Sequence, residues 1–290
     1  MENLKRVTGG YGGESYLFLG AEKTVLHDLG MACFNKELIA NIEEALDGRS
    51  LDYILLSHTH YDHMGALPYV LKRWPNAKVC GCEKTASVFS REGALKMIVS
   101  MGQTAAEQYG KDSVEIIADG IRVDIVMKDG DVIDLGAGET VTAYETKGHT
   151  DCSMPYFVEP CGLMFASEST GVLEGPESLH GSVLKSFDES LASAKRLKEL
   201  DIKHLLIPHF GLTSDKTRDI YFDWYIEEAL KEKNLIEDCF ARGMSEEEVF
   251  KVHESVYWND VRAKYHPYRA YKMNTEIIIK MVKNNLEAAK

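Results

Sequence analysis

A chain of 290 residues with 44% hydrophobic content is long enough to bury a sizeable core in one large domain, or in one domain with an appendage. Its 46 acidic and 33 basic residues leave a net charge of −13, which repels phosphate backbones and argues against a dedicated nucleic-acid-binding role. No apolar run approaches the roughly 20 residues of a bilayer-spanning helix. The opening Met1-Glu2-Asn3-Leu4-Lys5-Arg6 lacks the apolar stretch of a signal peptide, so a soluble, cytoplasmic protein is expected.

In chain order, Ser15 to Leu19 and Thr24 to Leu26 suit a hairpin around Gly20. Leu51 to Leu56 is a nearly continuous apolar run, the pattern of a strand buried on both faces. Leu67, Val70, Leu71 and Trp74 recur at helical spacing until Pro75, and Ala77 to Cys82 resumes as a strand. Thr85 to Gln108 reads as helix, and Ile121 to Met127 as a half-exposed strand. Strands follow at Val132 to Leu135 and Val141 to Thr146. Ser153 to Val158 and Leu163 to Ala166 form a hairpin through Pro160-Cys161-Gly162. A helix from Asp188 to Leu200 leads into a buried strand, Ile202 to Ile207. From Asp215 onward the pattern is helical and rich in aromatics, with Gly243 and an N-cap at Ser245 separating two helices. The six cysteines are too sparse for a disulfide scaffold, and Cys80 and Cys82 are expected as core thiols.

The strand ending at Leu56 runs directly into Ser57-His58-Thr59-His60-Tyr61-Asp62-His63. An H-x-H-x-D-H pattern arises by chance in a chain with this histidine content with a probability on the order of one in a thousand. Clustered imidazoles repel one another once protonated, so the cluster points to a bound cation. His58 and His60 can share one ion, while Asp62 and His63, on the turn into the next helix, can face a second. Such ligands suit Zn²⁺, Mn²⁺ or Fe²⁺. Two sites need more donors, and His149, His209 and Glu168 each follow a strand in the same way.

At this point the chain resembles the metallo-β-lactamase superfamily, including its glyoxalase II-like hydrolases. The matching stretches are Leu26-His27-Asp28-Leu29-Gly30, S-H-T-H-Y-D-H at 57–63, K-G-H-T at 147–150, L-M-F-A-S-E at 163–168 and I-P-H-F-G at 207–211. The resemblance implies a four-layer αββα sandwich over residues 1–213 and two divalent metal ions, zinc first, while the helical patterning makes 214–290 an extension. By the same resemblance His58, His60 and His149 hold the first ion, Asp62, His63 and His209 hold the second, and Asp28 steadies ligand imidazoles from behind. Where the family carries a bridging aspartate, this chain has Glu168. The longer side chain can bridge, bind a single ion, or only hydrogen-bond to the site.

Two ions sharing a water would lower its pKa toward neutrality, and Asp62 would orient that nucleophile and carry its proton. Hydrolysis of an ester, thioester, lactone or phosphoester of a small molecule is the expected activity. The alternatives are an iron-dependent oxidoreductase of the thiol dioxygenase or diiron type, and a ligand-binding regulatory protein without catalysis. An RNA-processing nuclease would need a basic surface that the composition does not supply. Of the other histidines, His27 is expected to point away along its strand and His204 to be a core residue. His180 is expected in a polar loop, from which it either reaches substrate or serves no site, and His253 and His266 are surface or structural. The C-terminal aromatics either pack as core or roof the metal cleft.

Overall fold

The computed structural model describes residues 1–265 and 267–288; His266 and the side chain of Tyr265 lie outside the described residues. Two compact units are defined by internal contacts. One comprises Met1–Glu145 with Cys152–Ala166, the other Thr146–Asp151 with Ser167–Lys290.

In the first unit, strands β1 (Leu4–Arg6), β2 (Tyr16–Leu19) and β3 (Thr24–His27) precede helix α1 (Asn35–Leu46) and strand β4 (Tyr53–Leu55). Helices α2 (Tyr61–Met64) and α3 (Leu67–Arg73), strand β5 (Lys78–Gly81), helices α4 (Glu83–Phe89) and α5 (Glu92–Gln108), and strand β6 (Ile125–Val126) follow. The six strands form one sheet in sequence order. The first two pairings are antiparallel and the remaining three parallel. Parallel neighbours need crossover connections, and the helices between β3 and β6 supply them. Leu38, Ile42 and Leu46 of α1 recur every four residues and pack with Leu67 and Val70 of α3 against the buried Leu26, Ile54 and Val79 of the sheet. Strands β7 (Val132–Gly136), β8 (Glu139–Ala143), β9 (Tyr156–Glu159) and β10 (Leu163–Phe165) belong to a second sheet and pair antiparallel in succession.

The second unit holds strands β11 (Val172–Leu173) and β12 (Leu179–His180), helix α6 (Phe187–Lys198), strands β13 (His204–Ile207) and β14 (Gly211–Leu212), and four C-terminal helices. These are α7 (Asp215–Ala241), α8 (Glu246–Tyr257), α9 (Asp260–Tyr265) and α10 (Tyr268–Ala288). Serine caps start three of its helices: Ser186 for α6, Ser214 for α7 and Ser245 for α8, the last as a complete capping box with Glu248. Among the described residues no helix is long and apolar enough to cross a membrane.

Four expectations change. The segment Thr85 to Gln108 is two helices: Ser90 closes α4 in helical conformation, and Arg91 turns to extended backbone, with φ −100° and ψ 114°, before α5 begins. Only Ile125–Val126 of the expected strand 121–127 enters the sheet: the Asp124 carboxylate caps the Val79 N–H at 3.0 Å, so a side chain supplies the acceptor there. His180 is a buried strand residue on β12 rather than part of a loop, and His204 is the half-exposed first residue of β13 rather than core. Cys80 and Cys82 are buried, and burial pushes the Cys80 thiol up to about 12, which suits an inert core residue.

One ion pair fastens the C-terminal helices within the second unit. Arg262 of α9 donates from Nε to Glu174 Oε2 at 2.7 Å, with both side chains only 4% exposed. Burial raises the Glu174 carboxyl above its ordinary range, although Arg262 and His209 both oppose that shift. Removing one partner leaves an uncompensated buried charge. Arg262→Ala is therefore expected to lower unfolding stability by about 3–5 kcal/mol in urea titrations, while the double variant Arg262→Met, Glu174→Leu recovers most of it.

Candidate metal centre

In the first unit the site grows out of strand register. Parallel pairing of β3 with β4 sets His27 opposite Leu55, so Asp28 and Ser57 emerge together at the same end of the sheet. The Asp28 N–H bonds to the Leu55 carbonyl at 3.0 Å, and its carboxylate turns onto the next loop. Oδ1 accepts from the Ser57 N–H at 2.8 Å; Oδ2 accepts the Ser57 hydroxyl at 2.6 Å and His63 Nδ1–H at 2.8 Å. Because the Ser57 hydroxyl proton is committed to Asp28, its oxygen accepts His58 Nδ1–H at 2.9 Å. One buried carboxylate thus fixes the tautomer of two imidazoles and leaves each Nε2 with its lone pair. Burial pushes the Asp28 carboxyl upward, but the neighbouring His27 and the bond from His63 outweigh it and hold the group below its usual range.

The three imidazoles of this loop sit close together. The ring centroids of His58 and His60 are 4.5 Å apart, and those of His58 and His63 are 4.2 Å apart. His58 and His60 each bring one ligand nitrogen within 4.8 Å of the other, and Asp62 and His63 do the same with an oxygen and a nitrogen. His58 and His63 are buried, whereas Asp62 and His60 keep partial access to solvent. A glycine-rich loop lies against this turn: Gly13 N–H donates to the Asp62 carbonyl at 2.8 Å, and a β-carbon at Gly13 would stand 2.8 Å from His63 Nδ1. His27, as expected, points elsewhere, with its ring stacked on Phe165 at 4.6 Å.

The second unit builds a set of its own. His149 Nδ1–H donates to the Ser182 carbonyl at 2.6 Å, which again leaves Nε2 as an acceptor, 3.4 Å from Glu168 Oε2. The Ser182 hydroxyl donates to the same Glu168 oxygen at 2.8 Å. The other oxygen, Oε1, lies 3.0 Å from His209 Nε2. Glu168 therefore presents one oxygen toward each of two histidines. A lone pair of neutral imidazole facing a carboxylate is repulsive unless a cation or proton intervenes. Donors of this type, with His149 backed through Nδ1 by the Ser182 carbonyl, fit a borderline divalent metal.

The C-terminal aromatics hold the Glu168 turn from behind. Tyr221 donates to the Thr170 carbonyl at 2.8 Å, and the Tyr225 hydroxyl meets the Ser190 hydroxyl, which in turn donates to the Ser169 carbonyl. Tyr221, Tyr225 and Tyr271 are all fully buried, so these rings are packing elements of this unit. Ser57 and Ser182 were given no role by sequence reasoning. Ser57 was legible in principle, as the residue preceding the first ligand; nothing local marks Ser182.

Comparison with known proteins agrees with these observations. The sequence profile of the metallo-β-lactamase superfamily matches residues 8–209. Among curated proteins, an anaerobic nitric oxide reductase flavorubredoxin of Vibrio vulnificus is 27% identical over 218 residues, 74% of this chain but 38% of the relative. The chain therefore spans well under half of that relative's length. Among solved structures, an archaeal metallo-β-lactamase superfamily protein from Sulfolobus tokodaii matches with a TM-score of 0.60 at 24% identity, covering 80% of this chain and 86% of that one. A flavo di-iron protein from Thermotoga maritima matches with a TM-score of 0.53 at 21% identity, covering 75% and 53%. With a profile match over well more than half its length, and a mixed α/β fold of two sheets with a helical C-terminal part, the chain belongs to the metallo-β-lactamase superfamily.

Proposed function

We propose that the protein is a dinuclear metal-dependent hydrolase of small-molecule esters, thioesters, lactones or phosphoesters. In this reading His58, His60 and His149 hold one divalent ion, and Asp62, His63 and His209 hold the other. Glu168, whose oxygens face His149 and His209 separately, would supply a donor to each. The observation that carries the reading is the shared orientation of His58, His63 and His149: each spends Nδ1–H on a protein acceptor and keeps its Nε2 lone pair for a metal.

When bound, two such ions supply a water of near-neutral pKa and an electrophilic contact for a carbonyl or phosphoryl oxygen. The residues do the rest. Asp62, partly open to solvent, orients the attacking water and takes its proton. Asp28 keeps His58 and His63 in the ligating tautomer. Five neutral imidazoles and two carboxylates would leave half the charge of two divalent ions uncompensated, which favours oxyanion stabilisation over storage of higher oxidation states. The net charge of −13 supports a small molecule rather than a polynucleotide as substrate.

A second reading, an iron-dependent oxidoreductase, is favoured by the flavorubredoxin and flavo di-iron relatives. One experiment separates the two. Metal-free protein is loaded anaerobically with Zn²⁺, Mn²⁺ or Fe²⁺ and assayed against a panel of esters, thioesters, lactones and phosphodiesters, with oxygen and nitric oxide uptake followed in parallel. Turnover restored by zinc or manganese and abolished by chelator is the expected result. Uptake of oxygen or nitric oxide with iron alone, without hydrolysis, would replace the hydrolase assignment.

A further inference from the structure

The C-terminal helices contain a buried polar chain that the reaction above does not use. Tyr271 of α10 donates its hydroxyl to His253 Nδ1 at 2.8 Å, and His253 of α8 donates from Nε2 to Glu232 Oε1 of α7 at 2.8 Å. All three residues are at most 3% exposed. Burial pushes the Tyr271 hydroxyl up to about 12, so it remains a donor. Three polar side chains in an apolar interior are costly unless each is satisfied, and here each link satisfies the next.

The far end of this chain meets the candidate metal centre. Glu232 Oε2 lies 2.8 Å from the point where a β-carbon on Gly181 would stand, so only glycine allows the carboxylate this close. The next residue, Ser182, has a φ of +52°, the left-handed region that costs a non-glycine residue energy unless its surroundings hold it there. Ser182 is also the residue that binds two proposed ligands, His149 through its carbonyl and Glu168 through its hydroxyl.

We propose that Glu232, backed by His253 and Tyr271, is a positioning residue: it wedges the Gly181–Ser182 turn into its strained conformation and thereby aims His149 and Glu168 at the metals. The inference rests on the ligand assignment above. It gives the helical extension a role in setting metal affinity, distinct from forming a roof over substrate. Helix packing alone would require the three side chains to bond to one another; it would not require the carboxylate to crowd the place where a β-carbon at residue 181 would stand, beside a left-handed serine.

The test uses the full chain and cobalt(II) or zinc as the probe. Metal affinity is measured by chelator competition, the cobalt d–d spectrum is recorded, and the thermal midpoint is taken without metal. Gly181→Ala, which pushes the turn away from Glu232, and Glu232→Ala, which removes the wedge, are each expected to weaken binding about tenfold or more and to alter the cobalt spectrum. Glu232→Gln, equal in size and still an acceptor for His253, should recover most of the affinity. Tyr271→Phe deletes one distant hydroxyl, keeps the fold testable, and should give a smaller loss in the same direction. If the alanine variants lower only the metal-free thermal midpoint and bind cobalt with the parent affinity and spectrum, the chain is merely structural and the inference fails. If the parent itself binds no metal, the ligand assignment fails instead.

Discussion

His60→Ala is expected to cost one equivalent of bound metal per chain and to lower metal-dependent turnover on the order of a thousandfold, with secondary structure unchanged. The size follows from the several kcal/mol of charge stabilisation that a metal ion contributes to a reaction of this class, at about 1.4 kcal/mol per factor of ten. The fold should survive because His60 sits at the N-terminal boundary of α2, keeps access to solvent and lies outside the apolar core of the first unit. Metal content by elemental analysis, circular dichroism and initial rates on the best substrate check the three parts separately. Full turnover in this variant would remove His60 from the ligand set.

Asp28→Asn should be nearly as damaging, although Asp28 is proposed as a support for ligands and not as a ligand itself. The carboxylate accepts three protons, from the Ser57 amide, the Ser57 hydroxyl and His63 Nδ1. Asparagine has the same shape but replaces one acceptor with an NH₂ donor, which then faces donors. The expected relief is a tautomer change in His63 that puts its proton on Nε2, the atom needed for metal. Metal affinity should fall about 10- to 100-fold. Stability should fall by about 1–3 kcal/mol from the mismatched buried donor. Chelator competition and urea unfolding of the metal-free chain read these effects independently; unchanged affinity would mean that Asp28 serves the fold alone.

Much of the candidate site is legible before any coordinates exist, because its densest part is local. His58, His60, Asp62 and His63 lie within six consecutive residues, and one loop with its first helical turn carries all four, with the three rings close together. The apolar run before them announces a buried strand, and Asp28 is visible as the residue ending the preceding strand. Periodicity also finds the β9–β10 hairpin, α6, and the helical character beyond Asp215, since these follow nearest-neighbour rules of alternation, helical spacing and capping. It overlooks α1, whose Leu38, Ile42 and Leu46 spacing was available, and it merges α4 with α5, which part where Arg91 leaves helical backbone angles.

What sequence by itself determined is the donor chemistry: which residues can bind a borderline metal, how many there are, and that the first four are neighbours. Tertiary structure alone decided how those donors are held. Ser57 links His58 to Asp28 across 29 positions, Ser182 grips both His149 and Glu168, and Glu232 reaches Gly181 from a helix about 50 residues later. The physical reason is range. Ligand identity is a property of single side chains, whereas tautomer, aim and strain depend on hydrogen bonds between segments that meet only after the strands have paired and the helices have packed.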